Sequence, residues 1–193
     1  MEAVSFADLP GLVGTEVGVS DWLQITQDRV NLFADATGDQ GAMTMDAVEF
    51  KDLPGLVGTE VGLSDWLEIT QERVNLFADA TGDHQWIHVD VERANREMGG
   101  PIAHGYLTLS LIPFLSAGML QVKGVARGIN YGSDKVRFTN MVRIGKRVRL
   151  RQKLIGAEPR SGGLQLKNEC TIEIEGEERP ACVAETITIV YGA

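Results

Sequence analysis

At 193 residues and 44% hydrophobic content, the chain can bury one substantial core, with room for an appended segment but not for a second ordinary domain. A formal net charge of -9 opposes general attraction to nucleic acid or to an anionic membrane, so any basic partner site has to be local. The opening "MEAVSFADLP" lacks the charged and apolar regions of a secretory signal, and no stretch approaches the roughly 20 apolar residues that span a bilayer, so a cytoplasmic location is expected.

The chain begins by writing one passage twice. Residues 1–39 align with residues 45–83 at 33 of 39 positions, with mild differences such as Gln24/Glu68 and Asp28/Glu72. Two copies do not make a repeat array. The second copy runs on into unique sequence, whereas the first stops at Gln40-Gly41-Ala42. Residues 1–44 therefore read as a partial duplication without a catalytic role, and residues 45–193 as the complete unit. A helix near residues 27–37 would carry Val30, Phe33, Ala34 and Thr37 as an apolar stripe that needs cover from the body or from a partner subunit.

In the second copy, "TEVGLSDWLEI" reads as a strand region, and Thr70 caps a helix over residues 71–81 with Val74, Phe77, Ala78 and Thr81 on one face. Gly82 ends it. Asp90 caps a short helix through Met98, which "GGP" at residues 99–101 terminates. The stretch "HGYLTLSLIPFLSAGML", residues 104–120, is apolar nearly all round and predicts one buried helix bent at Pro113.

From Val125 onward the period changes to two, with strands expected near residues 126–138, 146–157, 164–175 and 181–191. A buried helix followed by hairpin-linked strands predicts an α+β fold with an antiparallel sheet curled around that helix. If Ile172 and Ile174 share a core face with Val183, Ile187 and Ile189, then Cys170 and Cys182 fall on opposite faces, so free thiols are expected. Between Lys135 and Lys153 the chain holds eight basic residues and no acidic one. That run reads either as a solvated strand face or as a landing site for phosphates or an acidic protein.

Asp83 and His88 flank "HQWI" on a loop between two helices, where both side chains could converge on one water molecule. Adding water across a conjugated double bond needs a group to take the water's proton, a group to protonate the α-carbon, and donors for the charge on the carbonyl oxygen. Asp83 and His88 suit the first two needs. The amide at Gly105, where the buried helix begins, suits the third. His84 reads as a surface residue, His104 as structural, and Trp86 and Tyr106 as pocket walls or core. A metal reading through His84 and His88 with Asp83 or Asp90 fails on the break at Gly82, so neither metal nor cofactor is expected.

The stretch "FADATGDHQWIHVDVERA", residues 77–94, resembles the signature of the MaoC-like, (R)-specific enoyl-CoA hydratases of the hotdog fold. "PIAHGYLTLSL" and "GINYGSDKVRFTNMVRIGKRVRL" extend the resemblance over about residues 48–191. Gln85-Trp86 stands where the common pattern has Asn-Pro, which is closer to the NodN-like branch. The resemblance implies an antiparallel sheet wrapped around a long helix, a homodimer joined edge to edge, and hydration of trans-2-enoyl thioesters in fatty acid metabolism. It makes Asp83 and His88 the catalytic pair, with the Gly105 amide binding the thioester oxygen. Substrate contacts are expected from Gln85, Trp86, Tyr106, Lys135, Arg137 and Arg143, to an acyl-CoA or an acyl carrier protein. Two alternatives stay open: a hotdog thioesterase, which often uses a carboxylate that residues 104–120 lack, and a non-catalytic acyl-binding or signalling protein.

Overall fold

The computed structural model describes residues 4–38 and 47–193, and most of its elements follow the sequence periods. After a 3-10 helix at Phe6–Leu12, the first copy forms α1 (Gln27–Thr37), where the Thr26 hydroxyl accepts from the Arg29 amide and Gly38 closes the helix in the left-handed region. The second copy forms β1 (Ala47–Glu49), a 3-10 helix (Phe50–Leu56), β2 (Glu60–Leu63), β3 (Leu67–Glu68) and α2 (Gln71–Thr81). Its Thr70 cap and Gly82 stop repeat those of α1. Then come α3 (Trp86–Val89), α4 (Val91–Met98), α5 (Gly105–Ser110), α6 (Ile112–Ser116), β4 (Gln121–Lys123), β5 (Val125–Phe138), β6 (Arg147–Arg160), β7 (Gly163–Ile174) and β8 (Cys182–Gly192).

The single bent helix expected over residues 104–120 is two helices, and it ends sooner. Pro113 has no amide to donate, so α5 stops at Ser110, α6 restarts with Pro113 near its beginning, and Ala117 leaves the helix. The antiparallel sheet, in the order β2-β6-β7-β8-β5, with β3 also pairing with β6, packs against this broken rod. Leu107 and Leu111 are wholly buried with Val148, Leu150 and Ile172 of the sheet. Each such leucine or isoleucine contributes about 1.5 to 3 kcal/mol through removal from water. Leu53 of the second 3-10 helix closes a smaller cluster on Leu154, Leu164 and Leu166. At Gly62 the backbone passes so near the Met119 side chain that an added Cβ would lie 2.5 Å from it.

The cysteine expectation holds in outcome but not in reason. Ile172 pairs with Cys182 and Cys170 with Ala184, which puts both cysteines on the core face and turns Val183 and Ile187 outward. The face of β8 that packs on the core is its small-residue face, because the rod leaves little room there. Both thiols are free and buried, and burial pushes Cys182 up to about 11.

The basic run belongs largely to the outer face of β6, where it finds acidic neighbours. Arg149 meets Glu173 at 2.6 Å, Arg151 bridges Glu60 and Glu173, Arg147 pairs with Glu175, and Lys135 pairs with Glu185 on β8. Burial works to raise the Glu173 carboxyl, but hydrogen bonds from Arg151 and Arg149 outweigh it and hold the group below the usual range.

The first copy does not repeat the fold of the second. Helix α1 lies along α2 and buries only part of the expected stripe: Thr37 is buried, together with Ala36 from outside the stripe, whereas Val30 and Phe33 remain 47% and 39% exposed. Upstream, Phe6, Val19 and Trp22 are exposed, although Trp66, the counterpart of Trp22, carries the Arg149 guanidinium 4.4 Å above its ring. The end of the first copy, Asp39 with Gln40-Gly41-Ala42, lies outside the described residues. No described helix is long and apolar enough to cross a membrane.

Candidate active site

Helix α2 delivers the chain to the site. Gly82, at φ 85°, accepts the left-handed turn that ends the helix, and Asp83 follows at the surface. The Gln85 amide lies 3.4 Å from Asp83 Oδ1, and the Asp83 amide 3.4 Å from the Thr81 hydroxyl, which folds the loop back on the helix end. His88 is not on an open loop as expected. It sits buried on the one-turn helix α3.

Three neighbours fix His88. Its Nδ1 lies 2.7 Å from the Ile102 carbonyl, which can only accept, so Nδ1 carries a proton and Nε2 is the ring nitrogen left for other partners. Ile102 is in turn held by its amide on the Ile87 carbonyl, at 3.1 Å, and by a bridge to Arg143. Gln71, the first residue of α2, donates to the His88 carbonyl at 2.8 Å. Trp86 braces the same short helix from outside, with the Arg93 guanidinium 4.0 Å above its ring.

His104 is the participant that sequence reasoning undervalued. It is buried, its ring lies 3.8 Å from that of His88 and 5.0 Å from that of Phe77, and its Nε2 donates to the Asp83 carbonyl at 2.9 Å. Burial lowers its pKa, against the Asp83 carbonyl bond that works to raise it, so the ring is held neutral. Ligand atoms of Asp83, His88 and His104 all lie within 4.8 Å of one another, a grouping that also has the composition of a metal site. The His88 and His104 rings are tilted by 31° to each other, and His88 Nδ1 and His104 Nε2 are each engaged by a backbone carbonyl. His84, the other histidine of the metal reading, is at the surface, 3.6 Å from Asp79.

The cavity at His88 has a volume of about 390 Å³ and reaches Gly105, Thr108, Phe138 and Asn140, with Arg179 on its lining. Gly105 begins α5, and the Phe138 ring lies so close that an added Cβ would sit 2.9 Å from it. A second cavity, of about 430 Å³, lies farther along the rod between Leu109, Ile112, Asn168 and Thr186, with Phe33 and Thr37 of α1 on its wall.

Of the residues expected to contact substrate, Tyr106 is exposed with its ring edge-on to Phe138, and Gln85 is exposed at the turn. Arg143 donates to the Gly100 carbonyl at 2.8 Å, and Arg137 to that of Val136, at 2.7 Å. None of these, nor Lys135 or Trp86, lines the cavity at His88. Arg179 does, although beside Pro180 it reads only as a turn residue.

Comparison with known proteins supplies the family. The profile of the MaoC-like domain matches residues 52–171, leaving the first copy outside. The chain belongs to the MaoC-like dehydratase family. It is 55% identical over 185 residues to 3-hydroxyacyl-thioester dehydratase Z of Mycobacterium tuberculosis, covering 95% of this chain and 93% of that protein. To nodulation protein N of Rhizobium leguminosarum it is 45% identical over 194 residues, covering 98% and 93%. In fold it resembles a monoamine oxidase regulatory protein from Archaeoglobus fulgidus, with a TM-score of 0.62 at 20% identity, covering 78% of this chain and 99% of that one. It also resembles the R-hydratase PhaJ1 from Pseudomonas aeruginosa, with a TM-score of 0.56 at 22% identity, covering 71% and 83%. The hotdog architecture expected from the sequence is the one found.

Proposed function

We propose that this chain catalyses the reversible addition of water to a trans-2-enoyl thioester, giving the (R)-3-hydroxyacyl thioester, with Asp83 and His88 as its acid/base pair. The observation that carries the reading is the convergence of the Asp83 carboxylate and the His88 ring within 4.8 Å, with His88 and Gly105 lining one cavity. Its support from relatives is the 55% identity to a protein named as a 3-hydroxyacyl-thioester dehydratase.

In the hydration direction, one water molecule sits between the carboxylate and Nε2 of His88. The base pair removes a proton from the water as its oxygen bonds to C3, and the electrons of the double bond pass to the thioester oxygen. The Gly105 amide, in the first turn of α5 and without an intrahelical acceptor, stabilises that oxygen. The proton then goes to C2, so the elements of one water are added and nothing else is consumed. Dehydration retraces the same path.

The acyl chain runs along α5 and α6, and Arg179 at the mouth of the cavity meets phosphate of coenzyme A or of a carrier protein. A homodimer would pair the 14-residue strand β5, which has β8 on one side and an open edge on the other. The test is incubation with a short trans-2-enoyl-CoA and with the same acyl group on a carrier protein, followed by loss of conjugated absorbance and by chiral analysis of the product. An (R)-3-hydroxy product supports the reading. No turnover on either carrier, or an (S) product, overturns it.

A further inference from the structure

Phe33 and Phe77 hold the same place in the two copies of the duplicated passage, and their rings meet with centroids 6.0 Å apart. The helix ends correspond as well. Arg73, early in α2, donates to the Ala36 carbonyl near the end of α1. Arg29, the counterpart of Arg73, brings its guanidinium to 3.9 Å from the Cβ position of Gly82, at the end of α2. Beginning meets end in both directions, so the helices are antiparallel and a two-fold rotation carries one approximately onto the other. A contact in which one residue faces its own counterpart, while flanking residues exchange partners, has the form of an isologous interface between identical subunits.

The two partners are nearly identical in sequence: α1 and α2 differ only at Asp28 against Glu72. Whatever α1 offers to the face of α2, the α2 of another molecule offers too. Val74 and Phe77 of α2 are buried against the body, but the matching residues of α1, Val30 and Phe33, are 47% and 39% exposed. That open side of α1 is where the body of a second copy would lie if its α2 took the place of α1.

We propose that the face of α2 covered by α1 is a self-association surface for a second copy of this chain, and that the duplicated helix occupies it within the same molecule. The first copy thereby competes with dimerisation at this face. The proposal does not depend on the catalytic reading.

The test undocks α1 in the full-length chain. Ala36→Asp places an unpaired carboxylate where Ala36 is 0% exposed, and Phe33→Asp removes the central ring contact by a second route. Both changes lie outside residues 45–193, so the body keeps its own packing. Sedimentation velocity over a concentration series should show association at least about tenfold tighter in both variants than in the wild type. Adding Arg73→Glu, which sets a negative charge against the carbonyl end of the opposing helix, should reverse the gain. Unchanged association in both undocked variants overturns the proposal. So does a gain that Arg73→Glu leaves intact, since that would assign the association to exposed residues such as Trp22.

Discussion

Replacing His104 by alanine tests how the Asp83 loop is held. The ring is buried between Phe77 and His88, and its Nε2 donates to the Asp83 carbonyl at 2.9 Å. The lost hydrogen bond costs about 1 kcal/mol, and the lost packing of a buried ring about 2 to 3 kcal/mol more. A total of about 3 to 4 kcal/mol corresponds to a fall of roughly 6 to 16 °C in the unfolding midpoint for a chain of this size. Because the loop carries the carboxylate proposed as half of the acid/base pair, kcat should fall about tenfold to a hundredfold with KM little changed. His104→Gln keeps an N–H for the carbonyl and should recover most of kcat while recovering less of the stability. The pH dependence follows from the lowered pKa of the buried ring. The folded protein keeps His104 neutral where the unfolded chain, with an ordinary value of about 6.5, takes up a proton. Stability from this site is therefore complete above about pH 6.5 and declines as the pH falls below it, and His104→Gln should flatten that decline. Thermal unfolding at a series of pH values, with kcat and KM on an enoyl thioester, gives the readings. A folded His104→Ala protein with kcat within about twofold of the wild type would refute the reasoning.

The cation at the cavity mouth should matter more than those on the outer sheet face. Arg179→Ala is expected to raise KM for a coenzyme A thioester about fivefold, the size of one exposed charge-assisted contact at about 1 kcal/mol, whereas Lys135→Ala should leave KM within about twofold. Gly62→Ala drives a methyl group into Met119 and should cost about 1 to 3 kcal/mol, read by chemical denaturation. Gly105→Ala meets the Phe138 ring at the start of α5, so kcat should fall more than tenfold while the fold, checked by circular dichroism, survives.

What the sequence makes legible is what local chemistry decides. Thr70 and Asp90 cap their helices and Gly82 stops α2 because side-chain oxygens and a left-handed turn act within a few residues. The four long strands appear where period-two alternation meets turn residues. Less accessible was anything set by a distant neighbour. The core face of β8 was misassigned because its bulky residues, Val183 and Ile187, face outward, and only pairing with β7 reveals it. The basic run reads as a solvated strand face or as a landing site, and only Glu173, Glu175 and Glu185, from strands later in the chain, show that much of it is paired with acidic neighbours.

The site divides in the same way. Asp83 and His88 were visible through type and spacing, and their convergence through a short loop is local. His104, 21 positions beyond Asp83, reaches the loop only because the Pro101–Ala103 segment is tied to Ile87 and Val142. Arg179 joins the cavity because the β7–β8 turn folds over it, a placement no pattern around Pro180 announces. The docking face of α1 was legible only in part: Phe33 and Thr37 lie on the expected apolar stripe, whereas the close approach to α2 also buries Ala36, a small residue that amphipathic periodicity does not single out.

The most direct test of the account measures hydration of a short trans-2-enoyl-CoA by the wild type, Asp83→Asn and His88→Ala. The asparagine can still accept from the Gln85 amide, so Asp83→Asn keeps the loop and removes only the carboxylate's charge and basicity. Each variant should lose about a hundredfold to ten-thousandfold in kcat while unfolding cooperatively like the wild type. A folded variant of either kind that turns over at the wild-type rate would contradict the assignment of Asp83 and His88 as the acid/base pair.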